Sequence, residues 1–355
     1  MPYWLLVAGV IVTKPLMHKK IKLGQRQYDG KLLYVVLWGI VLIALCGLRS
    51  IDIGNDTHAY AWEFHTCKIS PSFKQWLSSY TYHEYAYYFV MFLVSRILDY
   101  QGFLMVMAII SIGPVLYVIY RYSKDITMSM ILYICFNYYT MCMSEMRQAA
   151  AIGVCMLAYC FAKEKKVIPY LVLCAIAMFF HSSALIFLPV YWISKIPNNK
   201  VTRTVAVVGI VAGYVFKDRI WSIATLLARQ QYSSNDAGGT LMYLFMLLSI
   251  VLGYWYKRNL VDTEEQDSFK ELFYLQILAA MLWPMASINS ATARIYYYYH
   301  LLFVLYVPVI KQSIGNRLER CIVSTGYYLV AFYFMYSQIL IPFRHVYPYI
   351  FFWKK

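Results

Sequence analysis

Charged residues are scarce in this chain, at 14% of 355 residues, whereas an average soluble domain has about a quarter. Hydrophobic residues make up 61% and recur in runs of about 17–25 residues, the length that crosses a bilayer as a helix. The sequence therefore predicts an all-α fold, a polytopic integral membrane helical bundle with about 11–13 hydrophobic segments. No stretch between the runs is long enough for a large soluble domain. We therefore expect residues 1–355 to form a single integral membrane domain.

Two kinds of motif are also missing. The eight cysteines show no Cys-x-x-Cys or Cys/His zinc spacing, so neither a disulfide framework nor a structural metal is indicated. No glycine-rich phosphate loop occurs. The net charge of +15 suggests nucleic acid binding at first sight, but the lysines and arginines lie in short loops between apolar runs. That is the positive-inside pattern of membrane proteins, so no nucleic acid partner is expected, and the bilayer is the predicted environment.

The distribution of basic residues predicts which loops share a side. Basic loops assigned to the cytoplasm are 14–31, 163–166, 195–203 and 311–320, and counting places the polar loop 257–270 with them. The opposite, outer face then receives the first outer loop 49–84, the turn 144–147, the break 180–183, the loop 218–238 and the segment 287–294. The candidate ionisable clusters all fall on this outer face.

The number of crossings is not settled by counting. If Arg49 is outside and 121–125 is inside, then 84–98 and 102–120 cannot both be full crossings. We expect 84–98 to be a re-entrant or interfacial helix, with a flat-lying 3–12 as the alternative. Other predicted segments, including 126–143 and 294–311, are continuous.

The first outer loop carries the densest cluster of candidates. Arg49, Asp52, Asp56 and Tyr60 follow directly on an apolar run, and ionisable groups at such a place are functional candidates because desolvating them is unfavourable. An aspartate here suits a general base or a ligand for a metal on a phosphate. A helical conformation would put Asp52 and Asp56 on one face, whereas Gly54-Asn55 favours a turn. An ordinary polar loop is the simpler alternative.

Further candidates begin or end helical segments. Glu84 opens an apolar segment, where a carboxylate near the helix N-terminus is also explained by the helix dipole. Arg147, followed by Gln148, begins an alanine-rich helix; a cation there opposes the dipole, so a pyrophosphate or Glu145 would have to compensate. His181 interrupts a long apolar run and is either a structural cap or a catalyst. Arg294 is either an interfacial anchor or a phosphate ligand.

In this order and spacing, these elements resemble the EpsG/Wzy-like family of bacterial polysaccharide polymerases. The matching residues are Arg49…Gly54-Asn55-Asp56-Thr57…Tyr60, Glu84, Arg147-Gln148, the lysine turn 163–166, Ala177 to Leu185 around His181, and Arg294…Tyr298. The resemblance covers nearly the whole chain. One departure is Asn55, where a small residue often follows the glycine.

The resemblance implies a membrane glycosyltransferase acting in O-antigen, exopolysaccharide or capsule synthesis. It implies transfer of a growing glycan from undecaprenyl pyrophosphate onto a lipid-linked repeat unit, at the outer face of the bacterial cytoplasmic (inner) membrane. Asp56 is the first choice for the base, followed by Glu84 or His181, and Arg147 and Arg294 are expected to clamp the diphosphate. Arg49, Tyr60, Gln148 and Tyr298 are expected to bind pyrophosphate or sugar. No metal and no cofactor are expected, and a requirement for a chain-length-regulating copolymerase stays open.

Three other classes of membrane protein compete with this interpretation. A transporter or flippase of lipid-linked oligosaccharide would be expected to show paired repeats and charges deep in its spans, which are not evident here. An O-acyltransferase would be expected to have its histidine in a long cavity beside an Asn/Asp-rich loop. A non-enzymatic scaffold does not explain the one-sided set of arginine, histidine and aspartate residues.

Overall fold

The computed structural model describes residues 2–23, 26–79, 84–193, 195–197, 199–220, 222, 240–260, 263–287, 290–340 and 344–354. Its α-helices are α1 (Pro2–Val12), α2 (Gly30–Gly47), α3 (Thr57–Ile69), α4 (Phe73–Leu77), α5 (Tyr85–Ser95), α6 (Tyr100–Tyr122), α7 (Ile126–Cys135), α8 (Tyr138–Ser144), α9 (Met146–Lys163), α10 (Val167–Phe180), α11 (Val190–Ile193), α12 (Lys200–Val215), α13 (Thr240–Tyr256), α14 (Thr263–Leu282), α15 (Ser290–His300), α16 (Phe303–Ser313) and α17 (Arg317–Leu340). A short antiparallel hairpin, β1 (Lys20–Leu23) and β2 (Arg26–Asp29), precedes α2. The predicted all-α membrane fold is confirmed.

Helices α2, α6 and α13 are each long and apolar enough to cross a membrane. Helices α7 and α8 count as a fourth span if they are taken as one broken crossing, bent by 45°. Helix α5 is shorter, with 11 residues. It therefore extends roughly 16 Å, about half of a bilayer's hydrocarbon core. This length agrees with the expectation that the segment 84–98 is not a full crossing.

The chain divides into two compact units, which are described separately. The first contains Met1–Leu185 and Thr325–Lys355, and the second contains Ile186–Ser324. In the first unit α6 packs against both α2 and α9, and α9 packs against α10. A Cβ atom at Gly153 of α9 would lie 2.3 Å from the carbonyl oxygen of Ile110 on α6, so only glycine permits this close approach. The single-domain organisation stays a prediction.

The prediction that 126–143 forms one continuous segment is wrong, because α7 ends at Cys135 and α8 begins at Tyr138. Asn137 lies between them in the left-handed conformation, with φ of 68°. At the break, backbone carbonyl groups lose their helical hydrogen bonds and accept instead from polar side chains near the C-terminal end of the chain. Gln338 donates to the Cys135 carbonyl at 3.2 Å, and Arg344 donates to the Asn137 carbonyl at 3.5 Å. Such side chains make a broken helix tolerable at membrane depth.

Three other predicted segments also need correction. The first outer loop 49–84 contains α3 and α4, and the polar segment 257–270 is helical from Thr263 onward. Glu264 and Glu265 lie in the first turn of α14, where carboxylates favour a helix start. The segment 294–311 is divided between α15 and α16. Most of the outer loop 218–238 lies outside the described residues, which include only 218–220 and 222 of it.

The C-terminal segment (residues 344–354) runs across the end of α2. The backbone N–H of Ser50 donates to the Ile350 carbonyl at 2.8 Å, and the N–H of Phe352 donates to the Leu48 carbonyl at 3.0 Å. Farther along the loop, the N–H of Gly54 donates to the His345 carbonyl at 3.1 Å. The start of the first outer loop is therefore held by backbone pairing with the end of the chain.

Candidate functional site

Helices α9 and α10 form a hairpin that brings Arg147 and His181 to the same end. The turn between them is tight, with Lys165 at a φ of 58° and the N–H of Lys166 donating to the Phe161 carbonyl at 2.9 Å. Because the helices run in opposite directions and pack together, the start of α9 lies beside the end of α10. Arg147 is the second residue of α9, and His181 directly follows α10. The hairpin thus explains why two residues far apart in sequence become neighbours.

Glu84 lies between these two side chains. Its Oε2 atom is 2.7 Å from Nη1 of Arg147, and its Oε1 atom is 3.8 Å from Nε2 of His181. The side chains of Glu84, Arg147 and His181 are 13%, 25% and 30% exposed, so all three are partly accessible. The structure therefore joins three of the predicted site residues into one cluster, and the carboxylate compensates the unfavourable position of Arg147 at a helix start.

The hydrogen bonds of His181 indicate its tautomer. The Ser183 backbone N–H donates to Nδ1 of His181 at 3.3 Å, and the Ser183 hydroxyl lies 2.7 Å from the same atom. A backbone N–H only donates, so Nδ1 is an acceptor and the proton of the neutral ring is on Nε2. That proton faces the Glu84 carboxylate. The arrangement orients the imidazole edge that could pass a proton to or from Glu84.

Helix α3 contributes a second wall of the site. Asp56, Tyr60 and Glu63 are spaced four and three residues apart, which places them on one helical face. The Tyr60 hydroxyl donates to Oδ2 of Asp56 at 3.4 Å, and the Tyr87 hydroxyl donates to Oε2 of Glu63 at 3.2 Å. The guanidinium of Arg147 lies 5.5 Å from the ring centre of Tyr60 and 5.6 Å from that of Tyr87. Two tyrosine rings therefore help to hold the cation in place.

Glu63 and Tyr87 were not among the predicted site residues. Glu63 lies in a segment that was predicted to be an outer loop. Without a predicted helix there, its spacing from Asp56 and Tyr60 did not indicate that the three side chains share a face. The spacing 56, 60 and 63 is a helical pattern that the sequence does contain. Recognising α3 would have identified Glu63 as a neighbour of the site.

The loop before α3 is a turn, as Gly54-Asn55 favoured, and not a continuous helix. Gly54 has a φ of 98°, and a Cβ atom there would lie 2.2 Å from the Met143 carbonyl oxygen. This geometry requires glycine. Asp52 pairs with His58 at 3.2 Å, where both side chains are exposed, whereas Asp56 accepts from Tyr60. The two aspartates that a helix would have aligned thus have different partners.

Arg49 is fully buried at the base of this turn. Its Nη1 atom donates to the Cys46 carbonyl, and its backbone pairs with Phe351 of the C-terminal segment. Among the described residues, its Nε and Nη2 atoms have no hydrogen-bond partner. Arg49 is thus enclosed by the chain ends, whereas Glu84, Arg147 and His181 are partly exposed.

The remaining predicted residues are divided between the two units. Gln148 is buried on α9 beside Arg147, and Tyr298 is buried on α15 in the second unit. Arg294 also belongs to α15, but its side chain lies outside the described residues. The clamp by Arg147 and Arg294 therefore stays a prediction.

Burial controls the electrostatics of the carboxylates. It raises the pKa of Glu84 above its ordinary value, and the charge of Arg147 acts in the opposite direction. Burial likewise raises the pKa of Glu63, against the attraction of Arg147 and the hydrogen bond from Tyr87. Within the described ranges, no group of three or more His, Cys, Asp or Glu side chains is arranged to hold a metal ion. The site can bind an anion at Arg147 and exchange protons at its carboxylates.

We expect Glu63→Gln to raise the unfolding temperature at neutral pH. Because burial raises the pKa of Glu63, the folded protein favours the protonated carboxyl. The contribution of Glu63 to the free energy of unfolding is fully present at pH values below the pKa that the group has in the unfolded chain. It is lost as the pH rises through the higher pKa that the group has in the folded protein. Glutamine stays neutral and still accepts from Tyr87. Thermal unfolding between about pH 4 and 8 should show the gain only toward the upper end.

Glu164→Gln is the matched control for this experiment. Glu164 is exposed, and the hydrogen bond and charge of Lys166 lower the pKa of its carboxyl. The stability from that group is present above the unfolded pKa and lost as the pH falls. The control should therefore be slightly less stable at neutral pH. A gain for Glu63→Gln that grows toward acid pH would contradict the assignment.

Comparison with known proteins identifies the family. The model of the EpsG family matches residues 32–351, which is nearly the whole chain. The chain belongs to the EpsG family. No curated protein and no solved structure matches it at the significance required. The resemblance found in the sequence is thereby confirmed, and EpsG membership together with the apolar helices supports a membrane protein with a polysaccharide polymerase-type role.

Proposed function

We propose that this EpsG-family protein transfers a growing glycan from undecaprenyl pyrophosphate onto a lipid-linked repeat unit, at the outer face of the bacterial cytoplasmic membrane. The observation that carries the proposal is the cluster of Arg147, Glu84 and His181. One cation, a partly exposed carboxylate and an oriented imidazole meet at one end of the α9–α10 hairpin. The basic turn 163–166 lies at the other end of that hairpin, which supports an outer position for the cluster.

Arg147 is the proposed ligand of the diphosphate leaving group. In the free protein its guanidinium is paired with Glu84 at 2.7 Å. A pyrophosphate offers several charged oxygens and matches the planar guanidinium in a two-point contact. The arriving diphosphate would therefore compete with Glu84 for Arg147, and the same cation would stabilise the charge that develops as the leaving group departs.

Glu84 is the proposed base, in preference to Asp56. When Arg147 turns to the diphosphate, Glu84 loses the charge that opposes its raised pKa, so its proton affinity increases. A bond forms between the acceptor hydroxyl oxygen and the anomeric carbon, and the bond from that carbon to the diphosphate oxygen breaks. The hydroxyl proton passes to Glu84, and the nearby imidazole of His181 could take it up afterwards. Asp56 accepts instead from Tyr60 and is placed to hold a sugar hydroxyl.

The carboxylates of helix α3 suit the hydroxyl groups of a carbohydrate. Tyr60 and Tyr87 are buried, and each donates its hydroxyl to a carboxylate while its ring lies beside Arg147. The two tyrosines therefore hold Arg147, Asp56 and Glu63 in position. We assign Asp56 and Glu63, which are partly exposed, to binding of sugar hydroxyl groups.

The test uses purified full-length protein in detergent with an undecaprenyl-pyrophosphate-linked repeat unit from the native host. The proposal predicts a ladder of glycans on the lipid carrier, without added nucleotide. Absence of the ladder from folded protein, together with movement of the lipid-linked glycan across liposome membranes, would favour the alternative, a flippase. Arg121→Ala changes an exposed arginine in the last turn of α6 and is the control, which should keep the ladder.

A further inference from the structure

The second unit contains an apolar groove between α12, α13 and α14. Its volume is about 330 Å³, and its apolar lining includes Ala206, Val207, Ile210, Ile250, Val251 and Ile277. Helix α13 is one of the candidate membrane spans. Val207 and Val251 are each 62% exposed, so the groove opens on a surface that faces bilayer lipid in a membrane protein. Its shape and chemistry suit a hydrocarbon chain.

A basic pocket adjoins this groove. Its volume is about 230 Å³, and Lys257, Arg258 and Lys270 contribute to its wall. Phe273 and Tyr274 line both the pocket and the groove, so the two spaces lie side by side along α14. An apolar chain in the groove would therefore place an attached polar group among cations.

Two cations at this junction have no carboxylate partner among the residues that the structure describes. Arg203 donates to the Tyr254 hydroxyl at 3.1 Å, and the ammonium group of Lys257 lies 4.0 Å from the centre of the same ring. In the part of the chain that the structure describes, neither forms an ion pair with Asp or Glu. Lys270, in contrast, is paired with Asp267 at 3.2 Å.

We propose that this groove and pocket bind an anionic phospholipid of the surrounding bilayer, with one acyl chain along α12 and α13 and the phosphate between Arg203 and Lys257. An anion there relieves the repulsion between the two cations. Basic pockets between membrane helices are suited to anionic head groups. Arg203 lies near the start of α12 and Lys257 follows α13, within or beside the loops predicted to be cytoplasmic.

A phospholipid fits this position better than the polyprenyl substrate. The proposed reaction uses a lipid-linked glycan at the outer face, whereas the basic loops around Arg203 and Lys257 predict the inner face. The choice of a phospholipid over the polyprenyl substrate rests on the proposed function, but the test measures binding without turnover. Its failure and the failure of the proposed function can therefore be distinguished.

The experiment is native mass spectrometry of delipidated full-length protein titrated with phosphatidylglycerol, phosphatidylcholine or undecaprenyl phosphate. We expect phosphatidylglycerol to bind more tightly than phosphatidylcholine and to be displaced poorly by undecaprenyl phosphate. Arg203→Gln with Lys257→Gln should weaken phosphatidylglycerol binding by about fivefold for each cation removed. Thermal unfolding of each variant checks that the fold is retained.

The matched control removes two basic charges elsewhere in the second unit. Lys195→Gln with Arg317→Gln changes exposed residues that do not line the groove or the pocket. This control should bind phosphatidylglycerol as the unmodified protein does. Equal binding of the two phospholipids, or equal losses in both double variants, would overturn the proposal. Preferential retention of undecaprenyl phosphate would also overturn it and would assign the groove to the substrate tail.

Discussion

Arg147→Lys is expected to lower the rate of glycan transfer by about a hundredfold or more, although the positive charge is kept. The guanidinium forms the 2.7 Å contact to Glu84 and also lies beside the rings of Tyr60 and Tyr87. Lysine provides a single ammonium group and cannot form the planar two-point contact with a diphosphate. The effect should therefore come from lost stabilisation of the leaving group rather than from lost net charge.

The measurement is the initial rate of ladder formation at saturating acceptor, with the amount of membrane-inserted variant determined in parallel. Arg121→Lys serves as the control, since Arg121 is exposed at the far end of α6. It should behave as the unmodified protein does. A rate for Arg147→Lys within a few-fold of the unmodified rate would remove Arg147 from the chemistry.

Arg344→Ala is expected to destabilise the folded protein by about 3–5 kcal/mol. The Nε atom of Arg344 lies 2.9 and 3.1 Å from the two carboxylate oxygens of Glu145, and the side chains are only 7% and 2% exposed. Removing the arginine leaves a buried carboxylate without its cation. The C-terminal segment would also lose its anchor beside the start of α9, two residues from Arg147.

Thermal unfolding in detergent measures this effect, and two further variants define its origin. Lys166→Ala breaks the exposed pair with Glu164, which has a similar distance of 2.8 Å, and should change stability far less than Arg344→Ala does, because solvent screens an exposed pair. Arg344→Met combined with Glu145→Met removes both charges and should recover much of the loss. If Arg344→Ala were no more harmful than Lys166→Ala, the anchoring role would be wrong.

The side of the α9–α10 hairpin on which the candidate site lies could be predicted from the sequence. The basic turn 163–166 was assigned to the cytoplasm, so the start of α9 and the end of α10 were expected together on the opposite side. Arg147 was predicted from a cation at a helix start and His181 from a break in an apolar run, and the structure places the third predicted residue, Glu84, between them. The apolar runs also predicted the helical fold and showed that the segment beginning at Glu84 is short.

Other features depend on contacts between distant parts of the chain. The break between α7 and α8 falls in an apolar run and is accommodated by Gln338, 203 positions away from Cys135. The helix propensities of the residues around the break do not indicate that a distant side chain such as Gln338 will bond to it. Arg49 is a similar case, because its enclosure depends on pairing with Phe351 at the other end of the chain. A charged residue near a membrane surface can be identified from the sequence as a candidate site residue. Whether a ligand can reach it depends on tertiary packing.

The central claim is that Arg147 and Glu84 take part in the reaction and do not merely stabilise the fold. The most direct test exchanges them, as Arg147→Glu with Glu84→Arg, and measures the glycan ladder and the unfolding temperature of the same preparation. The account predicts that the exchanged pair recovers stability relative to either single variant but yields no ladder, since the diphosphate ligand and the base have changed places. A ladder restored by the exchange would show that only the ion pair matters, and would contradict the account.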